Sequence, residues 1–173
     1  MTLGVAGAIA LAAGSALPAA AASAPTTTTF TIGAGALTIS APASANLGSV
    51  TSGATSISGN LGGNVVVTDN RGLVLGGWTA SATSTDFSDG ATPTAHTIPA
   101  SNVTYTTPLA TTTGIVVVVP LSGTLSNSTA LNVQTATGVL GNNSASWNPT
   151  LTVTIPAAAP AGTYTATLTH SVA

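Results

Sequence analysis

The most constraining feature of this chain is a strict alternation of threonine with mostly apolar residues near its C-terminus. Threonine occupies every second position: Thr163, Thr165, Thr167 and Thr169. The positions between and after them are Tyr164, Ala166, Leu168, His170 and Val172. Successive side chains of a β-strand point to opposite faces. The pattern therefore predicts a strand at 163–172, with a threonine face toward solvent and a mainly apolar face toward a core.

Similar period-two segments recur along the chain and are separated by Gly, Pro, Asn and Asp turns. They predict strands at 30–32, 37–40, 64–68, 78–84, 103–107, 115–119, 130–135, 150–155 and 163–172. We expect 151–156 and 163–172 to pair as a C-terminal hairpin. The sequence predicts an all-β fold, specifically an antiparallel β-sandwich of the Ig-like or Greek-key type with about eight to ten strands. Little helix is expected outside the N-terminal segment.

The N-terminal segment has the pattern of a secretion signal. Residues 3–17 form an Ala-, Gly- and Leu-rich stretch, which is followed by Pro18 and by small residues at 20–22. This order predicts a signal peptide at 1–22, a Thr-rich linker at 23–29 and a single domain at 30–173. The alternative is an uncleaved membrane anchor. No run of about 18 apolar residues follows residue 24, so no membrane span is expected after cleavage.

Charge is almost absent from the chain. The charged residues are Asp69, Arg71, Asp86 and Asp89, which is 2% of 173 residues. Nucleic-acid binding requires several Lys or Arg side chains to neutralise phosphates, so it is not expected. General acid–base catalysis requires titratable groups, of which the chain has few. We expect a binding or structural protein rather than an enzyme, with no catalytic residue and no cofactor.

A metal site is not expected either. The segment 86–90 has Asp at its first position and Gly at its last, which favours a turn over a calcium loop, because the alternating oxygen ligands are missing. The two imidazoles, His96 and His170, have no cysteine to accompany them. A zinc site normally needs at least three protein ligands.

Two segments carry a recognisable pattern. The first reads Val-Thr-Asp-Asn-Arg-Gly at 67–72 and continues to Trp78, and the second extends from 145 through Trp147 to Val172. This arrangement resembles the WxL domain of Gram-positive surface proteins, although Ala80 and 170–172 (His-Ser-Val) depart from its two Trp-x-Leu motifs. The resemblance implies non-covalent attachment to the cell wall through peptidoglycan.

Six residues are candidates for functional or bracing roles. Trp78, Trp147, Tyr164 and His170 are the hypothetical ligand-binding residues, because indole and phenol rings stack on sugars and donate hydrogen bonds. The alternative for both tryptophans is burial in the core, and for His170 a partly buried neutral ring. Asp69 and Arg71 are predicted to brace the loop before Trp78, either as an orienting pair or as an exposed salt bridge of small energetic effect.

Taken together, these patterns predict an extracellular protein of the cell wall or cell surface. Its expected partner is peptidoglycan or another wall glycan. The alternative is a structural subunit that assembles with itself, or with other surface proteins, into an extracellular layer or filament. An uncharged sheet edge lacks the Lys and Glu side chains that normally prevent such pairing.

Overall fold

The computed structural model describes residues 21–91 and 96–173. The chain divides into two compact units, Met1–Ile32 and Gly33–Ala173. The predicted signal peptide at 1–22 lies almost entirely outside the described residues. In the first unit, residues 21–32 are exposed and contain no regular secondary structure. The strand predicted at 30–32 is therefore wrong, because Phe30 and Ile32 pair with no strand of the described residues.

Among the described residues, the second unit contains twelve strands and a turn of 3-10 helix at Ala100–Asn102. The strands are β1 (Leu37–Ser40), β2 (Ser56–Asn60), β3 (Val65–Asp69), β4 (Val74–Ser84), β5 (Phe87–Ser88), β6 (Thr97–Ile98), β7 (Val103–Thr106), β8 (Thr111–Pro120), β9 (Gly123–Thr124), β10 (Leu131–Trp147), β11 (Thr150–Thr154) and β12 (Leu168–Val172). The all-β prediction is confirmed. No helix among the described residues is long and apolar enough to cross a membrane.

The larger sheet is organised around β10, which has 17 residues. One edge of β10 pairs with β8, and the other edge pairs first with β4 and then with β3. For example, Ala136 pairs with Trp78 on one side and with Val118 on the other. Strand β1 extends the sheet beyond β3, and β12 extends it beyond β4. All of these pairings are antiparallel, so β3 and β4 follow each other along the same edge of β10.

The smaller sheet has the order β2-β11-β7-β9, and β5 and β6 form a separate two-stranded hairpin. The larger and the smaller sheet both contribute to one hydrophobic cluster. The larger sheet supplies Val65, Val67, Trp78, Ala80, Val133 and Trp147, whereas the smaller sheet supplies Val103, Tyr105, Leu151 and Val153. The two antiparallel sheets therefore share one core, while the β-sandwich arrangement and its Ig-like or Greek-key connectivity stay predictions.

The predicted C-terminal hairpin is wrong. Strand β11 pairs with β2 and β7 in the smaller sheet, whereas β12 pairs with β4 in the larger one. The segment between β11 and β12 is long enough to carry the chain from one sheet to the other. The predicted alternation within 163–172 is confirmed, because the threonines are exposed and the intervening residues half-buried. Continuous strand pairing begins only at Leu168, after an isolated bridge at Thr165.

Candidate functional site

The two tryptophans are core residues. Only 3% of Trp78 and 2% of Trp147 is exposed to solvent. The Trp78 Nε1–H donates to Asn143 Oδ1 at 3.2 Å, and the Trp147 Nε1–H donates to Tyr105 Oη at 3.2 Å. Neither indole face is available to a sugar. The hypothesis that they bind ligand directly is therefore wrong, and the alternative of burial is confirmed for both.

Asp69 and Arg71 form a close pair beneath the loop that leads to Trp78. The Arg71 Nε–H donates to Asp69 Oδ1 at 2.9 Å, and Nη2 donates to Asp69 Oδ2 at 3.0 Å and to the Gly77 carbonyl oxygen at 2.8 Å. The pair thus joins the end of β3 to β4 across the loop at 70–73. This geometry agrees with bracing, but the expectation of an exposed pair is wrong, because the Asp69 side chain is fully buried.

The hydrogen bond from Arg71 holds the pKa of Asp69 below its ordinary value, against the opposing effect of burial. The same bond raises the pKa of Arg71. Both groups are therefore charged at neutral pH, as a bidentate arginine–carboxylate pair requires. The loop is held by an ion pair with a buried carboxylate, which is a stronger constraint than a solvent-exposed pair.

The segments 78–80 and 170–172 are neighbours in the structure. Val172 on β12 pairs with Ala80 on β4. Beyond this pair, the Thr79 N–H donates to the Ala173 carbonyl oxygen at 2.8 Å, and the Ala173 N–H donates back to Thr79 at 3.1 Å. The segment that begins at Trp78 and the end of the chain are therefore adjacent strands of one sheet.

Tyr164 and His170 line a cavity of about 720 Å³ in the second unit. One wall is the irregular segment 41–54, which connects β1 to β2. Another wall is the segment 159–168 and the start of β12. The lining also contains large apolar side chains from other elements: Ile57, Leu61, Phe87, Ile98, Leu151 and Val153. Of the four candidate ligand-binding residues, the structure brings these two to one cavity and places the two tryptophans elsewhere.

No Asp, Glu, Lys or Arg residue lines this cavity. Its polar groups are hydroxyls, one Asn, backbone amides and the His170 ring. The Tyr164 hydroxyl donates to the Pro160 carbonyl oxygen at 3.0 Å, which fixes the phenol ring within its own loop. Volumes of about 300–1,000 Å³ with mostly apolar walls and a few polar groups are typical of small-molecule sites. The cavity is therefore suited to an uncharged ligand of a few rings.

His170 is half-buried and contacts the core through its Nε2 atom. The distance from His170 Nε2 to Tyr105 Oη is 3.0 Å, and the two rings meet edge to face. Burial lowers the pKa of His170 to about 4 and raises the pKa of Tyr105 to about 12. Both side chains are therefore neutral at physiological pH. The expectation of a partly buried neutral histidine agrees with this environment.

Asp86 and Asp89 act as local hydrogen-bond acceptors. Asp86 Oδ1 accepts from the Ala100 N–H at 2.9 Å, and Asp89 Oδ1 accepts from the Ala91 N–H at 3.0 Å. The second Asp89 oxygen lies 2.6 Å from His96 Nδ1, a pair that sequence reasoning did not predict. Within 21–91 and 96–173 there is no group of three or more His, Cys, Asp or Glu side chains that could hold a metal ion.

The outer face of β8 is the most apolar exposed strand surface among the described residues. Ile115 is 60% exposed and Val117 62% exposed, and Val119 follows them on the same face. Ile115 is opposite Leu140, which is opposite Val74, and these side chains are exposed as well. In the described part of the chain, β8 pairs with β10 alone. Its second edge is therefore open as far as the described residues go.

No family model matches the chain, and no match was found among the curated proteins or the solved structures.

Proposed function

We propose that this chain is a secreted surface protein, resembling the WxL domain, which binds the peptidoglycan of the cell wall non-covalently through the cavity beside Tyr164 and His170. The observation that carries the proposal is the absence of charged side chains from the walls of a cavity of about 720 Å³. A neutral ligand can enter such a cavity without losing the hydration of a charge, which would be costly without a countercharge.

Wall glycan has the chemistry that these walls would recognise. Sugar rings present apolar C–H faces, which pack against the aromatic and aliphatic side chains of Phe87, Tyr164 and Leu168. Their hydroxyl and amide groups require neutral donors and acceptors, which the Ser and Thr hydroxyls and the backbone of 41–54 and 159–167 provide. Stacking and neutral hydrogen bonds are little affected by ionic screening, so binding should persist at high salt.

The test is co-sedimentation of the protein, purified from Ser23 onward, with Gram-positive sacculi. Tyr164→Ala removes an aromatic wall of the cavity, and Thr169→Ala is the matched control on the exposed face of β12. We expect the parent and the control to bind and Tyr164→Ala to bind about tenfold more weakly, as for loss of one stacking contact. Trp78→Ala would not be informative, because it disturbs the core. No pelleting of the folded parent above a sacculus-free blank would contradict the proposal.

The exposed face and open edge of β8 favour a second candidate, a self-assembling structural subunit. An edge strand of ten residues without charge can pair with the same strand of a second copy, which would place the exposed Ile115, Val117 and Val119 of the two copies side by side on one face. Pairing with an identical uncharged strand buries no charge. Antiparallel pairing of two β8 strands would form a closed two-fold dimer, whereas a second contact elsewhere would be needed for a filament.

Light scattering over a range of protein concentrations tests this second candidate. Val117→Lys places a charge in the middle of the exposed face, and Thr104→Lys places the same charge on the exposed side of β7, an inner strand of the other sheet. Association that is abolished by Val117→Lys and retained by Thr104→Lys would support assembly through β8. A parent protein that stays monomeric at all accessible concentrations would contradict it.

A further inference from the structure

A chain of hydrogen bonds connects the core to the cavity. It begins at Trp147 at the end of β10, passes through Tyr105 on β7 and ends at His170 on β12. The first step, from Trp147 Nε1 to Tyr105 Oη, is 3.2 Å, and the second, between Tyr105 Oη and His170 Nε2, is 3.0 Å. Trp147 and Tyr105 are fully buried or nearly so, whereas His170 lines the cavity.

The proton positions along this chain follow from the donors that each group has. An indole N–H can only donate, so Tyr105 Oη accepts from Trp147. The hydroxyl has one proton, and the remaining partner of this buried oxygen is His170 Nε2. A buried hydroxyl proton without an acceptor would be costly, so the tyrosine donates and Nε2 accepts. A neutral imidazole that accepts at Nε2 carries its proton on Nδ1.

The second ring nitrogen of His170 has no hydrogen-bond partner among the described residues, while its first is held by Tyr105. We propose that the His170 Nδ1–H is a specificity-determining donor to the amide carbonyl oxygen of a wall ligand in the cavity. This inference rests on the proposed function, because it assigns a ligand atom to the same cavity. The amide carbonyl is a strong neutral acceptor, and it suits a neutral donor in walls that contain no cation.

Because the His170 ring is neutral, this cavity differs from an anion-binding site, which would require a cation. Burial holds the pKa of His170 near 4, so the ring does not offer a cation at physiological pH. Two parts of peptidoglycan contain amide carbonyls: the N-acetyl groups of the sugars and the peptide bonds of the stem. The shared chemistry is a neutral amide, and the experiment has separate arms for the two sources.

The first measurement is the tautomer of His170 in the mature protein, by nitrogen-15 NMR of labelled histidine. We expect the proton on Nδ1 in the parent. In Tyr105→Phe, which removes the donor to Nε2, we expect the Nε2–H tautomer to become populated. A parent protein with the proton on Nε2 would overturn the inference whether or not the protein binds sacculi, so this result is independent of the proposed function.

The second measurement is calorimetric titration with three neutral or near-neutral probes. These are the β-1,4 tetramer of N-acetylglucosamine, the β-1,4 tetramer of glucose, which has the same linkage without the amide, and a stem tetrapeptide whose amino groups are acetylated and whose carboxyl groups are amidated. We expect one of the two amide probes to bind and the glucose tetramer to bind at least tenfold more weakly, as for loss of one buried hydrogen bond. Equal affinity for the two tetramers, with no binding of the peptide, would overturn the inference.

Variants of His170 complete the test. His170→Asn presents an amide N–H close to the position of Nδ1, whereas His170→Phe retains the ring shape and has no donor. We expect the His170→Asn variant to retain more of the parent's affinity for the amide probe than the His170→Phe variant does. Binding of sacculi by the parent that is unchanged in a folded His170→Phe protein would overturn the inference and leave the proposed function standing. Failure of the parent to bind sacculi at all would instead refute the proposed function.

Discussion

The burial of His170 predicts a loss of stability in mild acid. Its pKa is lowered by burial from 6.5 to about 4 in the folded protein, and it returns to its ordinary value in the unfolded chain. Between these two values the unfolded state binds more protons than the folded state. The stability that depends on a neutral His170 is therefore fully present above about pH 6.5 and is lost as the pH falls toward 4.

The magnitude follows from the two pKa values. At 1.36 kcal/mol per pH unit, the full difference corresponds to roughly 3 kcal/mol, of which about 2.5 kcal/mol is lost by pH 4.5. Few other groups can contribute to the pH dependence, because the chain has no Glu or Lys, three Asp and one other His. A typical domain has 5–15 kcal/mol of stability, so the change is measurable.

The assay is urea unfolding followed by the fluorescence of the two buried tryptophans, at several values of pH from 7.5 to 4.5. The comparison is between the parent and His170→Gln, which has no titrating ring. His96 is common to both proteins. The difference between the two plots of unfolding free energy against pH therefore isolates the effect of His170. We expect the free energy of unfolding of the parent to fall by about 2.5 kcal/mol more than that of the variant. Parallel pH profiles would refute the assigned burial and its effect.

Three further predictions concern the brace, a glycine of β8 and the wall contact. Arg71→Ala should lower the free energy of unfolding, measured in urea, by about 2–3 kcal/mol, because it leaves the buried Asp69 carboxylate without its cation. A loss under about 0.5 kcal/mol would indicate an ordinary exposed pair. Gly114→Ala should cost clearly more than Gly138→Ala: both glycines have positive φ, but a Cβ at 114 would overlap the Asn142 carbonyl oxygen, whereas none lies near 138. Equal melting temperatures for the two variants would contradict this reasoning. Sacculus binding should change less than about threefold from low to near-molar salt, and a steep decline would indicate a charged contact.

Much of the secondary structure was predictable, because alternation is a local property of the chain. The threonine pattern at 163–172 specified which side chains face solvent, and β1 was predicted with its observed bounds. Strand β10 was predicted to end at 135, but it continues to Trp147. Its interior contains Gly138, Gly141, Asn142 and Asn143, which are typical of turns. Both glycines have positive φ, and the pairing with β4 and β8 continues past them through shifts of register. The short strands β2, β5, β6 and β9 lack a periodic apolar pattern and were not predicted.

The candidate site was only partly predictable. Tyr164 and His170 were identified from the sequence, yet their common cavity depends on the segment 41–54, whose small residues show no pattern that indicates a wall. A strand was predicted at 103–107, but nothing in the sequence indicates that its Tyr105 meets His170. A hydrogen bond between residues 65 positions apart depends on how the two sheets pack.

The sequence by itself determined the all-β class and the near absence of charge, because strand periodicity and composition are properties of the chain that no packing alters. Only the tertiary structure decided where each strand pairs, and with it the burial of both tryptophans and the contact between Tyr105 and His170. Backbone hydrogen bonds are the same for every residue type, so strand partners are chosen by the packing of side chains from distant segments. That packing placed the tryptophans in the core and left an uncharged cavity at the positions of Tyr164 and His170.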